Sequence, residues 1–152
     1  SQREVECGMP PADVETASSS LPQGSCYRIQ VLVVGRHKRW RDEVSTQVRM
    51  LGYQVTACDR GVDAMTVLAL GLPVDVMVVD TALQGGLCCA QLAVESRALR
   101  PALRIILASD PVDAVGPDAS ARVPDALLVR RDQLQNGMVA TTMREALANR
   151  AA

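Results

Sequence analysis

Short β-branched apolar runs alternate five times with amphipathic helical stretches along this chain, and that alternation constrains its fold more than any other feature. Ile29-Gln30-Val31-Leu32-Val33-Val34 is an apolar run ended by Gly35, the pattern of a strand buried on both faces of a parallel sheet. Trp40, Val44, Val48 and Leu51 then form one stripe of a helix that stops at Gly52. Tyr53 to Cys58 reads as a second strand, and Val62 to Leu70 as a second helix closed by Gly71. Val74 to Val79 is a deeply apolar third strand ending on Asp80, and Leu87 to Leu99 a third helix that Pro101 prevents from continuing. Leu103 to Ala108 and Ala126 to Val129 supply strands four and five, while Val139, Met143 and Leu147 set the inner face of a last helix starting near Asp132 or Gln133. Pro111 to Arg122 is interrupted by Gly116 and Pro117, so a fourth helix there is expected to be short or distorted.

Strand followed by helix, repeated, requires right-handed crossovers and a sheet covered on both sides. The expected architecture is a three-layer α/β/α sandwich around a five-stranded parallel sheet, doubly wound in the flavodoxin-like manner. At 152 residues the chain suits a single core-forming domain. Its organisation reads as a flexible N-terminal arm over residues 1–26 and a folded domain over 27–152. The arm carries Met9-Pro10-Pro11, Ser18-Ser19-Ser20, Pro22 and Gly24, a composition too poor in bulky apolar groups to offset its ordering entropy.

Charge and composition exclude several function classes. Sixteen Lys and Arg against 17 Asp and Glu leave a net charge of −1, without the basic excess of a phosphate-facing surface. Aromatic residues are 2% of the chain, with no Phe and one Trp, so there is almost no material to stack bases or sandwich a flavin. No nucleic-acid partner is expected within this chain. No apolar run reaches the ~20 residues of a membrane span, so no membrane partner is expected either. Five cysteines without a CxxC, joined by one histidine, give no zinc spacing and read as reduced thiols of a cytoplasmic protein.

In doubly wound sheets, function gathers at the carboxyl ends of the strands. Those ends are Gly35-Arg36-His37, Asp80, Ser109-Asp110 and Arg130-Arg131. In their order and spacing they resemble the receiver domain of two-component response regulators, over nearly everything from Tyr27 to Arg150. Asp80 in VVDTALQGG matches the family's phosphoacceptor, Ser109 in IILAS its phosphoryl-sensing hydroxyl, and Arg130 in ALLVRR the position of its phosphoryl-binding lysine. GVDAM at Gly61 to Met65 looks like the usual opening of the second helix. The resemblance implies a non-enzymatic signalling module in phosphorelay signal transduction, with a sensor histidine kinase or phosphotransfer protein as partner and a homodimer as its assembly. Output is then expected through a protein contact or the fate of the phosphoryl group.

The chemistry needs those residue types together. A carboxylate accepts a phosphoryl group only when charge on the transferred oxygens is neutralised, by Mg²⁺ and a fixed cation. Mg²⁺ demands oxygen ligands, mostly carboxylates and waters. Receivers place two acids after strand one, whereas this chain has Gly35 and Arg36 there, followed by His37 and Lys38. Weak or absent Mg²⁺ binding is the expectation. Gln84, Cys88 and Arg131 depart from the family's proline, glycine and cis-proline, and Leu127 occupies its aromatic switch position.

Two readings stay open. In one, Arg36 pairs with Asp80 in place of the metal, making a pseudo-receiver that acts as a phosphorylation-independent interaction module. In the other, Asp80 still accepts phosphate, with Arg36 and Arg130 supplying charge and a metal held by Asp59 or Asp110. The remaining features read more simply: His37 as a surface histidine, and Cys88-Cys89 as one packed thiol beside an incidental one. A hydrolase triad of Ser109, His37 and Asp80 lacks a GxSxG elbow.

Overall fold

The computed structural model describes residues 28–83, 85–110 and 115–148; the arm at 1–26 lies outside them. β1 (Gln30–Val34), α1 (Lys38–Met50), β2 (Gln54–Cys58), α2 (Gly61–Ala69) and β3 (Val76–Asp80) are followed by α3 (Cys89–Leu99), β4 (Arg104–Ser109), α4 (Val115–Arg122) and β5 (Leu127–Arg130). A single turn α5 (Arg131–Gln133), a π-type turn over Leu134–Met138 and α6 (Val139–Ala148) complete the described fold. The strands pair in parallel in the order β2-β1-β3-β4-β5. This is the expected doubly wound α/β/α sandwich, with its order reversing between β1 and β3.

Strand alternation sorts the core into two layers. Leu32, Val34, Met77, Val79 and Leu107 pack with Ala64 and Leu68 of α2, Leu92 of α3 and Ala119 of α4. Val31, Val33, Val76, Val78 and Ile106 pack on the other face with Trp40, Val44 and Val48 of α1 and Met143 of α6. Central β3 is buried at all five positions, consistent with its continuous apolar run. Each such aliphatic side chain contributes about 1.5–3 kcal/mol by leaving water, so aromatic poverty is no obstacle to a core.

Strands two to five and helix two have ends within one or two residues of expectation, and three further departures have a packing or backbone cause. Leu51 ends α1 as its C-cap and is exposed, because the helix closes one residue before the stripe does. Helix three begins at Cys89 rather than Leu87. Leu87 instead packs against Gly61, where an added Cβ would lie 2.7 Å from the Leu87 carbonyl oxygen. The last helix is broken rather than continuous: Asn136 leaves helical geometry and Gly137 adopts φ 121°, a left-handed conformation that glycine takes without steric penalty. Gln47 of α1 caps the break, its Nε2 donating to the carbonyls of Leu134 and Gln135 at 2.8 Å each.

Candidate functional site

The ends of β1, β3, β4 and β5 meet beside the strand-order reversal, and Asp80 stands at the centre. It follows Val76 and Val78 in strand parity, so its side chain faces the α1 and α6 layer. It has no accessible surface. Asp80 Oδ1 accepts the Ala82 N–H at 2.9 Å, a turn-forming bond typical of aspartate. The same oxygen accepts Arg131 Nη1 at 2.5 Å, a charge-assisted contact in a buried setting. Oδ2 is buried and has no hydrogen-bond partner among the described residues.

Arg131 is held from several sides. Its side chain is only 18% exposed, and its Nη2 lies 3.6 Å from Asp110 Oδ2. Its main-chain carbonyl accepts the Trp40 indole Nε1–H at 3.0 Å. The Trp40 ring in turn covers Gly35: a Cβ there would come within 2.5 Å of Cζ3 and 2.7 Å of Cε3 of the ring. The β1–α1 turn is tied back by Arg41, whose Nη1 donates to the Gly35 carbonyl at 2.8 Å. Beside this group opens a cleft of about 310 Å³, lined by His37, Arg39, Trp40, Asp110, Arg130, Arg131, Asp132 and Gln135.

The sequence-predicted residues are placed unevenly around Asp80. Ser109 ends β4 beside it, with Ala108 in register with Asp80 and Ser109 with Arg130. The Ser109 hydroxyl donates to the Asp110 carbonyl at 3.2 Å. Arg130 turns outward, its Nε and Nη2 donating to the Asp132 carboxylate at 3.1 and 2.8 Å. Arg36 is exposed on the β1–α1 turn. The expected Arg36–Asp80 pair is therefore replaced by an Arg131–Asp80 pair. The cause lies in placement: Arg36 sits where the chain leaves the sheet, whereas Arg131 opens α5 with its main chain anchored on Trp40. Leu127 is half-buried and packs in the α1/α6 layer.

His37 is exposed at the N-cap of α1 and makes no side-chain capping bond. Cys88 is exposed and Cys89 buried, as one inward and one outward thiol. Burial pushes the Cys89 thiol up to about 12 and the Cys58 thiol to about 11, which disfavours thiolate chemistry at either. In the sequence Arg131 stands at the end of strand five and departs from the family's proline. The adjacent pair Arg130-Arg131 was the available signal, but nothing local tells which guanidinium turns inward.

The donor set around Asp80 does not fit Mg²⁺, which seeks about six oxygen ligands. Gly35 contributes no side chain, a guanidinium sits on Asp80 Oδ1, and Asp110 faces that same guanidinium. Among the described residues, no three His, Cys, Asp or Glu side chains gather as a metal site. Among them also, no helix is long and apolar enough to cross a membrane.

No protein-family model matches the chain, and no curated protein does. Solved structures do. The chain is similar to the signal receiver domain of an HD domain-containing protein from Pseudomonas fluorescens Pf-5, at TM-score 0.66 and 16% identity over 80% of this chain and 95% of that one. It is similar to the chemotaxis protein CheY4 of Vibrio cholerae, at TM-score 0.66 and 17% identity over 78% and 98% of the two chains. It is similar also to the signal receiver domain of NarL from Mycobacterium tuberculosis, at TM-score 0.63 and 22% identity over 80% and 98%. With its parallel sheet in the order β2-β1-β3-β4-β5 and an aspartate ending the central strand, the chain has the fold of CheY-like response-regulator receiver domains.

Proposed function

We propose that this chain is a signalling module of the receiver type that acts through protein contact, in a state that does not depend on phosphorylation of Asp80. One observation carries the reading: the Arg131 guanidinium donates to Asp80 Oδ1 while Asp80 has no accessible surface. A phosphodonor must reach the carboxylate in line, and here that carboxylate has no accessible surface and is already paired with a guanidinium on one oxygen. Breaking a buried charge pair leaves an uncompensated charge, at about 3–5 kcal/mol. Half-buried Leu127 agrees with this, since it has no aromatic ring to rotate in response to a phosphoryl group. The chain on this reading is not an enzyme.

A second reading keeps Asp80 as the phosphoacceptor of an atypical response regulator in a phosphorelay, fed by a sensor histidine kinase or a phosphotransfer protein. It is favoured by Asp80 Oδ2, which has no partner among the described residues, and by Ser109 at the end of the neighbouring strand. Incubation with a small phosphodonor such as acetyl phosphate, with and without Mg²⁺, followed by intact mass, separates the two. No mass gain supports the phosphorylation-independent module. A gain of one phosphoryl group that Asp80→Asn abolishes establishes the second reading instead.

A further inference from the structure

We propose that Gly35, Trp40 and Arg131 form one interlocked unit that keeps a protein cation on Asp80 where a divalent metal would otherwise sit. Arg131 supplies the charge, and Trp40 is the positioning residue that fixes the Arg131 main chain. This deepens the phosphorylation-independent reading and rests on it, because it names what holds the Asp80 site in one state.

The three residues depend on one another. Trp40 can lie over position 35 only if that residue lacks a side chain, since a Cβ would stand 2.5 Å from its ring. Any acid at position 35 would therefore displace the ring before it could offer an oxygen. With the ring in place, its Nε1–H reaches the Arg131 carbonyl at 3.0 Å and sets where α5 begins. From there the Arg131 side chain reaches Asp80 Oδ1, and its Nη2 faces Asp110. One guanidinium thus touches both carboxylates that border the site, holding Oδ1 of Asp80 and facing Oδ2 of Asp110. A change at position 35 or 36 alone is not expected to convert this arrangement into a metal site, because a side chain at 35 meets the Trp40 ring and the Arg131 guanidinium still holds Asp80 Oδ1.

Two measurements on the full chain test the unit. The first is calorimetric titration with Mn²⁺ of the wild type, of Gly35→Asp/Arg36→Asp, and of that pair combined with Trp40→Ala and Arg131→Gln. Binding is expected only in the fourfold variant, and is expected to be lost when Asp80→Asn is added. Mn²⁺ binding by the wild type or by the acid pair alone that Asp80→Asn abolishes, or no binding by a folded fourfold variant, overturns the proposal.

The second measurement needs no large rearrangement. The chain has one tryptophan, so the indole N–H gives a single proton resonance in the spectrum of the ¹⁵N-labelled protein. Arg131→Gln is expected to shift that resonance and speed its exchange with water, and Arg131→Lys to return it toward the wild-type position. An indole signal that Arg131→Gln leaves unmoved overturns the coupling. If the wild type instead gains a phosphoryl group without metal while the indole behaves as described, the phosphorylation-independent reading fails and the unit stands.

Discussion

The indole of Trp40 lies over Gly35 so closely that a Cβ on that glycine would sit 2.5 Å from ring atom Cζ3. Trp40 is itself 3% exposed, with its Nε1–H held by the Arg131 carbonyl. The ring therefore has little room to withdraw. Gly35→Ala is expected to lower stability by about 1–3 kcal/mol, the usual range for overpacking a filled core. Urea denaturation checks this. Combined with Trp40→Ala the glycine substitution should lose most of its effect, because the residue it strikes is gone.

Arg131→Ala removes the counter-charge from a carboxylate with no access to water. The expected loss is about 3–5 kcal/mol, read as a lower denaturation midpoint. Asp80→Asn in the Arg131→Ala background should restore part of it, since a neutral amide needs no counter-charge. A double-mutant cycle showing no coupling between the two positions would contradict the contact.

Gln47 offers a local probe of the break before α6. Gln47→Ala deletes two hydrogen bonds to the carbonyls of Leu134 and Gln135, worth about 0.5–1.5 kcal/mol each. Faster amide exchange over Leu134–Met138 is the expected signature, with little change in the strands. At Gly137, where φ is 121°, substitution by Ala is expected to lose about 1–2 kcal/mol through left-handed strain.

Thiol ionisation sets an alkaline limit to stability. Cys58 and Cys89 are raised by burial to about 11 and about 12, from an ordinary value of 9.0. Well below pH 9 both are protonated in the folded and the unfolded chain, so neither makes stability depend on pH there. Between pH 9 and 11–12 the unfolded chain releases protons that the folded one retains, so folding stability falls as pH rises through that window. Denaturant midpoints measured across it should fall, and fall less in Cys58→Ala/Cys89→Ala. Iodoacetamide at pH 8 should spare both thiols in the native protein and modify them after unfolding.

Most of the architecture was legible in the chain. β-branched runs such as Val31 to Val34 and Val76 to Val79, and the stripe of Trp40, Val44 and Val48, carry period and length in their own letters. What blurred were ends governed by contacts at a distance: Leu87 left helix three to meet Gly61, and Gln47 stabilised a break around Gly137 that lies about ninety positions away. The location of the site was legible as well, since alternation brings the strand ends to one edge.

By itself the sequence determined the doubly wound sheet, the place of Asp80 on its central strand and the absence of acids at positions 35 and 36, because each follows from local periodicity or residue type. Only the tertiary structure decided which arginine meets Asp80. Arg36, Arg130 and Arg131 are equivalent as charges, and the choice among them turns on a tryptophan 91 residues from Arg131 resting on a glycine and holding that arginine's carbonyl. Charge is written in the sequence, whereas the direction in which a charged side chain points is set by packing between elements far apart along the chain.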